Sequence, residues 1–419
     1  MTLNKKYLVE ACKLCTLNKF VDIGHTVTYH HQDKEIIDAV AKLIPEYKKI
    51  NEQLLIAQAQ CGKSDIIKRI FECFNNNKKY FSTEYQIESV YLIICASAND
   101  LKEDHQMEFH NFIESKNKVL HLNDLLRLIK KFKNRDPISP NDDDIKIYHE
   151  MKNNSLLIFD ESHADLEEQA TIDMFRKMLS IEFDNYTNST VKVLNVSATA
   201  YDQLMAGIKT IFLLPRKGYW GITEMFKNKK VFPAYDLLNY KDLEAWLNHI
   251  CNQLNKKDVP NGLYIIRVDT KIDGKKVEQN LYKYFAPPEQ CIVDFYDMER
   301  EYNLDVKHLK NKVAVPTFII IMNKLRKGNR IIKNNIIAVH DKLNNMLTHT
   351  TYQGLLGRMT GYNANKNALI YCDKLKATEH LQWIQHNYAL EKIPTHTQWI
   401  KSDGTIKPQC MLSTSLRSI

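Results

Sequence analysis

The 419 residues, 44% of them hydrophobic, are enough for two or three domains with sizeable cores. The longest apolar runs reach only strand length and the opening Met1-Thr-Leu-Asn-Lys-Lys leads into no apolar signal core, so neither a membrane span nor a secretion signal is expected. The formal charge of +8 is mostly lysine spread along the chain, which suits nucleic-acid binding without demanding it. Nine cysteines include one close pair, Cys12 and Cys15, and fifteen histidines form no ligand spacing, so the thiols read as reduced and structural rather than zinc-bound.

In chain order, residues 1–28 are poorly patterned and read as an N-terminal extension. A helical pattern opens at Tyr29 and continues through Ile36, Val40 and Leu43. Gln32 at its start either reads an adenine edge with its two-faced amide or is simply solvated. The apolar run from Leu54 to Ala57 then breaks into Gln58-Ala59-Gln60-Cys61-Gly62-Lys63-Ser64. Beyond it, Ile66, Ile67, Ile70, Phe71 and Phe74 stand at helical spacing. Strand, loop and helix are the setting of a phosphate-binding loop, in which backbone N–H groups cradle the phosphates. The lysine reaches the β- and γ-phosphates, and the hydroxyl of Ser64 holds Mg²⁺. Ala57 stands where the G-x-x-x-x-G-K-[ST] pattern has its first glycine, so a surface Gly-Lys-Ser turn is the competing interpretation. With only twelve glycines in the chain, other residues are expected in loops that usually carry glycine.

Ser89 to Ser97 reads as a buried strand, Lys118 to Leu122 as a short strand, Leu122 to Phe132 as a helix and residues 133–144 as a loop. The strand from Asn154 to Phe159 ends in Asp160-Glu161-Ser162-His163, two adjacent carboxylates where a parallel sheet opens its ligand crevice. Asp160 can hold Mg²⁺ through water, and Glu161 can act as base toward the attacking water. Another strand, Val191 to Val196, ends in Ser197-Ala198-Thr199-Ala200. Asp202 to Ile211 follows as helix and strand. The aromatic, basic stretch Pro215 to Ile222 is either a packed turn or a stacking contact for a base.

Residues 223–240 read as a connector, after which strand–helix alternation resumes. Strands are expected at Gly262–Val268, Cys291–Tyr296, Thr317–Met322, Asn335–His340 and Ala368–Asp373. Helices are expected at 242–255, 275–285, 305–312, 351–362 and 377–388, and the tail from Lys392 reads as loosely attached. This alternation predicts two parallel-sheet α/β lobes, at 29–222 and 241–392, with 393–419 as a tail.

With both halves in view, the order of motifs resembles the superfamily 2 helicases and translocases, over roughly residues 29–375. Ala57 to Ser64 looks like their motif I, Gln32 like their adenine-reading glutamine and Ser97 to Asp100 like motif Ia. Asp160 to His163 looks like motif II, and Ser197-Ala198-Thr199 like motif III. Gly262 to Val268 is similar to motif IV, Leu325 to Gly328 to motif V, and Gln353 to Tyr362 to motif VI. The Gln-Cys-Gly-Lys-Ser loop, the Gly218-Tyr-Trp-Gly-Ile222 segment and the Gly-Arg-x-x-Gly-Tyr ending are most similar to phage, viral or plasmid members.

The resemblance implies two tandem RecA-like lobes with the nucleotide site at their interface. It implies ATP and Mg²⁺ as ligands of Gln32, residues Ala57 to Ser64, Asp160, Gly328 and Arg358, with Lys63, Asp160, Glu161 and Arg358 in catalysis. As partners it implies nucleic acid, DNA somewhat ahead of RNA, and replication, recombination or transcription proteins, with no membrane. The expected location is the cytoplasm, the host's for a viral chain. A switch or clamp on nucleic acid, or a motor subunit that does not itself unwind, is the alternative. Three departures stand out. Gln60 replaces a usual glycine, Gln353 precedes Gly357 by four residues rather than three, and Gly361 occupies the place of a second arginine. In a chain with eleven arginines, Arg358 is then the sole motif VI candidate for an arginine finger, against the alternative of a helix arginine paired with a carboxylate.

Overall fold

The computed structural model describes residues 34–95, 109, 118–133, 142–160, 166–181, 188, 190–199, 201–205, 207–296, 313–322, 333–341, 352–394, 398–400 and 406–408. Its contacts divide the chain into two compact units between Arg216 and Lys217. Among the described residues no helix is long and apolar enough to cross a membrane.

The first unit runs α1 (Lys34–Glu46), β1 (Glu52–Ala57), α2 (Lys63–Asn76), α3 (Lys78–Tyr85), β2 (Ser89–Ile94), β3 (Val119–His121), α4 (Leu122–Lys133) and α5 (Asp143–Lys152). It continues with β4 (Ser155–Asp160), α6 (Leu166–Met178), β5 (Val191–Ser197), α7 (Tyr201–Met205) and β6 (Lys209–Leu213). The six strands form one sheet, in the order β3-β2-β4-β5-β1-β6, and every pairing is parallel. Unbroken runs such as Leu54-Leu-Ile-Ala and Leu156-Leu-Ile-Phe are what a parallel sheet covered on both faces requires. On one face Tyr91, Ile93, Leu157, Phe159 and Val193 pack against Leu125 and Leu128 of α4, Met151 of α5 and Phe175 of α6. The alternate residues Leu92, Ile94, Leu156, Ile158 and Leu194 point the other way and are equally buried.

The second unit runs α8 (Ile222–Lys227), β7 (Val231–Pro233), α9 (Tyr240–Gln253), β8 (Gly262–Val268), α10 (Lys271–Tyr284), β9 (Ile292–Tyr296), β10 (Pro316–Met322), β11 (Ile336–His340), β12 (Leu369–Cys372) and α11 (Lys374–Gln385). Its sheet has the order β7-β12-β11-β8-β10-β9, again parallel throughout. Trp246 and Leu247 of α9 and Val277 and Leu281 of α10 cover one face, against Tyr264, Phe318 and Tyr371. Helix α10 starts at a capping box. Thr270 Oγ1 accepts the Asp273 N–H at 3.1 Å, and the Asp273 carboxylate accepts the Thr270 N–H at 3.2 Å. The chain thus has the α/β class expected from its strand–helix alternation, with one parallel sheet in each unit.

Four details differ from the sequence expectations. The stretch 223–240, expected as a connector, carries α8 and the edge strand β7, which pairs with β12 from Ile370↔Val231 to Cys372↔Pro233. Three residues ending in proline carry no periodic signal, yet an edge position tolerates the missing N–H. Helices α3, α5 and α6 have no counterpart among the sequence expectations, and α3 and α5 bury only Phe81 and Tyr85, and Ile147, Tyr148 and Met151. Within the stretch 133–144, expected as a loop, α5 already begins at Asp143, and the Asp142 carboxylate caps it by accepting the Asp144 N–H at 2.9 Å. In the tail, Gln398–Ile400 and Ile406–Pro408 pair as an antiparallel ribbon. The helix expected at 305–312 and the motif Ia segment Ser97–Asp100 lie outside the described residues.

Candidate active site

Strand β1 is buried along Gln53 to Ala57 and sits between β5 and β6. Ala57 finishes it in extended conformation, so the position needs no glycine. The loop then turns sharply. The Cys61 N–H donates to the Gln58 carbonyl at 3.3 Å, and Gln60 adopts a left-handed φ of +56°. That conformation is the reason glycine is common at this place, and here a glutamine bears the steric cost, on the order of 1 kcal/mol. Gly62 follows at φ +109° and caps α2, its carbonyl accepting the N–H groups of Asp65 and Ile66 at 3.1 and 3.3 Å. The first N–H groups of a helix have no partner within it and carry its positive end, which suits an anion.

Lys63 and Ser64 lead this helix and are half-buried, whereas Ile66, Ile67, Ile70, Phe71 and Phe74 anchor it in the core. Burial pushes the Cys61 thiol up to about 12, with the charges of Lys63 and Arg216 pulling in the opposite direction. The thiol therefore stays protonated near neutral pH and fills space beneath the loop.

Asp160 ends β4, two strands from β1, and is half-buried. The register sets Leu55, Val196, Asp160 and Ile94 on one row across β1, β5, β4 and β2. At the usual strand spacing this places Asp160 about 10 Å from β1. Between them lies Ser197, wholly buried, whose Oγ accepts the Thr199 N–H at 3.0 Å and ties the Ser197-Ala198-Thr199 turn. Lys63 and Asp160 therefore follow strands of one carboxyl edge, the edge at which parallel α/β sheets bind ligands.

No three His, Cys, Asp or Glu side chains gather as a metal site among the described residues. One carboxylate and one hydroxyl, both oxygen donors, nevertheless fit Mg²⁺, which takes few protein ligands and completes its shell with water and phosphate. Gln32, Glu161 and Gly328 lie outside the described residues, as does the side chain of Gln353.

In the second unit, residues 351–362 were expected to form one helix. Instead Tyr352–Leu356 makes a wide turn that Gly354 breaks with a ψ of −145°. The cause is a close approach. Arg267, near the end of β8, pairs with Asp341 through Nη1 at 3.0 Å to each carboxylate oxygen, and Asp341 Oδ2 also accepts the Leu355 N–H at 2.8 Å. A Cβ on Gly354 would collide with Asp341 Oδ2 and lie 2.7 Å from Arg267 Nη1. Lys333 donates to the Thr360 carbonyl, and Thr360 Oγ1 donates to that of Gly357 at 2.7 Å, closing the segment around Arg358. Arg358 itself is 8% exposed.

The stretch at 215–222 divides between two roles. Trp220 exchanges backbone hydrogen bonds with Gly361 at 3.1 and 2.9 Å, and Tyr219 meets Tyr362 edge to face at 5.5 Å, so the aromatic part is a packed turn. Arg216 belongs to the first unit and approaches the loop from Gln58 to Ser64. A methyl placed on Gly62 would stand 3.7 Å from its Nη2. Sequence spacing gave no sign of this, because it depends on β6 lying beside β1, a pairing of strands about 150 residues apart. Arg267 and Asp341 were missed for the same reason.

The chain is 35% identical over 407 residues to the uncharacterized protein L594 of Acanthamoeba polyphaga mimivirus, an alignment covering 94% of this chain and 98% of that one. No protein-family profile matches it. Among solved structures, Saccharomyces cerevisiae Dbp5, in a variant bound to RNA and ADP BeF3, is similar at 13% identity and a TM-score of 0.46, over 85% of this chain and 92% of that one. The Escherichia coli DEAH/RHA helicase HrpB is similar at 10% identity and a TM-score of 0.48, over 82% of this chain and 43% of HrpB.

Proposed function

The chain belongs to the family of mimivirus protein L594, and we propose that it is an ATP-driven motor on nucleic acid. The observation that carries this is the Gly62-Lys63-Ser64 turn between a central parallel strand and a helix, with Asp160 ending the strand two places away. Lys63 neutralises the phosphates that the first turn of α2 cradles. Ser64 and Asp160 would hold Mg²⁺, which would supply charge neutralisation to the bound phosphates. Glu161, next after Asp160 in the sequence, takes the proton of the attacking water. Arg358 supplies positive charge as the phosphoryl group transfers, and Gln32 selects adenine. Nucleic acid is engaged through its phosphates by scattered lysines, DNA ahead of RNA, alongside replication, recombination or transcription proteins.

ATPase rates measured with single- and double-stranded DNA and RNA test the proposal. At least one nucleic acid should stimulate turnover, with an apparent affinity that falls steeply between low and physiological salt, because each phosphate contact releases counterions. Equal rates with and without every nucleic acid would leave an ATP-dependent switch instead. Glu161→Gln separates binding from chemistry. It should bind ATP normally and lose hydrolysis, since an amide keeps the shape but takes no proton. Failure of that variant to bind ATP would give Glu161 a structural or metal-holding role.

A further inference from the structure

The first unit holds a second cation at the phosphate loop that no motif of the sequence announced. Strand β6 pairs with β1 from Gln53↔Lys209 to Ala57↔Leu213, so the chain leaves β6 beside the very point where β1 enters the loop. Three residues later Arg216 turns its guanidinium onto the loop. A methyl on Gly62 would lie 3.7 Å from Arg216 Nη2, 3.8 Å from Asp65 Oδ2 and 3.8 Å from Ile36 Cδ1. Arg216 Nη2 is buried at the loop although the residue as a whole is half-exposed. Its charge reaches the Cys61 thiol inside the loop along with that of Lys63.

The sheet order decides which end of a nucleotide this arginine serves. Asp160 ends β4, on the β5 side of β1, and Arg216 follows β6, on the other side, so the two stand on opposite flanks of the strand that enters the loop. On the nucleotide-binding proposal above, the metal and the terminal phosphate lie toward Asp160. We propose that Arg216 binds the α/β-phosphate end of a nucleoside di- or triphosphate, as a second phosphate-binding residue beside Lys63. Its planar fork can engage two phosphate oxygens at once, which an ammonium cannot reproduce. A contact to the α- and β-phosphates is common to ADP and ATP, whereas a contact to the terminal phosphate would be felt by ATP alone.

Calorimetric titration of the full chain with Mg-ADP and with a non-hydrolysable Mg-ATP analogue tests this, on wild type, Arg216→Gln, Arg216→Lys and Lys63→Ala. Arg216→Gln should weaken both nucleotides alike, by about tenfold or more, the loss of a charge-assisted bond. Arg216→Lys should fall between it and wild type. Unchanged ADP affinity in a folded Arg216→Gln would overturn the proposal, as would a loss confined to the ATP analogue. Should Arg216→Gln melt early, Arg216→Lys decides. Wild-type ADP affinity at wild-type Tm overturns the proposal, and a weakened one upholds it. Wild-type protein that binds neither nucleotide would instead remove the nucleotide-binding proposal itself, and this inference with it.

Discussion

Lys63→Ala should abolish ATP hydrolysis, a loss of at least about a hundredfold, in a protein that melts within a few degrees of wild type. The lysine is the first residue of α2 and half-buried, while the helix is held by Ile66, Ile67, Ile70, Phe71 and Phe74 on its core face. Removing the ammonium leaves that face intact and, on the proposed function, takes away the charge that would meet the phosphates. Substitutions outside a core usually change stability by no more than about 0.5 kcal/mol, so melting and turnover separate cleanly. A folded Lys63→Ala chain with wild-type turnover would show that the Gly62-Lys63-Ser64 turn is only a turn.

Arg358→Lys should fail nearly as badly as Arg358→Ala. Arginine fingers contribute about 10³ to 10⁵ in rate to phosphoryl transfer, and the lower part of that range is expected where several groups share the task. Lysine keeps the charge but not the planar, two-pronged donor geometry. ATP binding should stay nearly normal, because Lys63 and α2 belong to the other unit. The structure sharpens the competing explanation. Arg358 is 8% exposed and enclosed by the Gly357–Thr360 turn and the Lys333 contact, so a purely structural arginine is a real alternative. That alternative predicts a lowered Tm with near-normal turnover, and both measured on Arg358→Lys distinguish the two.

What the sequence made legible was whatever depends on neighbours along the chain. Apolar runs such as Leu92-Ile-Ile and Phe318-Ile-Ile-Ile announce buried parallel strands, and Ile66, Ile70 and Phe74 announce the helix after the Gly62-Lys63-Ser64 turn. Asp160 was legible because a strand visibly ends there. Contacts made by strand order were not. Arg216 at Gly62, and Arg267 with Asp341, are joined by pairings that no local pattern encodes. Backbone conformation was half legible. A shortage of glycine warned that other residues would occupy glycine positions, and Gln60 does so at φ +56°. The helix expected across 351–362 failed at Gly354, because a tertiary approach overrides the local periodicity there.

The ion pair against Gly354 also constrains how this family can drift. The Arg267 and Asp341 side chains are 13% and 6% exposed, so losing one partner strands a desolvated charge, at a cost of about 3–5 kcal/mol. Replacing both by apolar residues that fill the same volume is far cheaper. Single changes at either position should therefore be rare among relatives, and paired changes the permitted route. A side chain at 354 becomes tolerable only in lineages where the pair has already shrunk, since the present one leaves no room for a Cβ. The three positions should covary as a set, with the order of replacement fixed: first the charges, then the glycine.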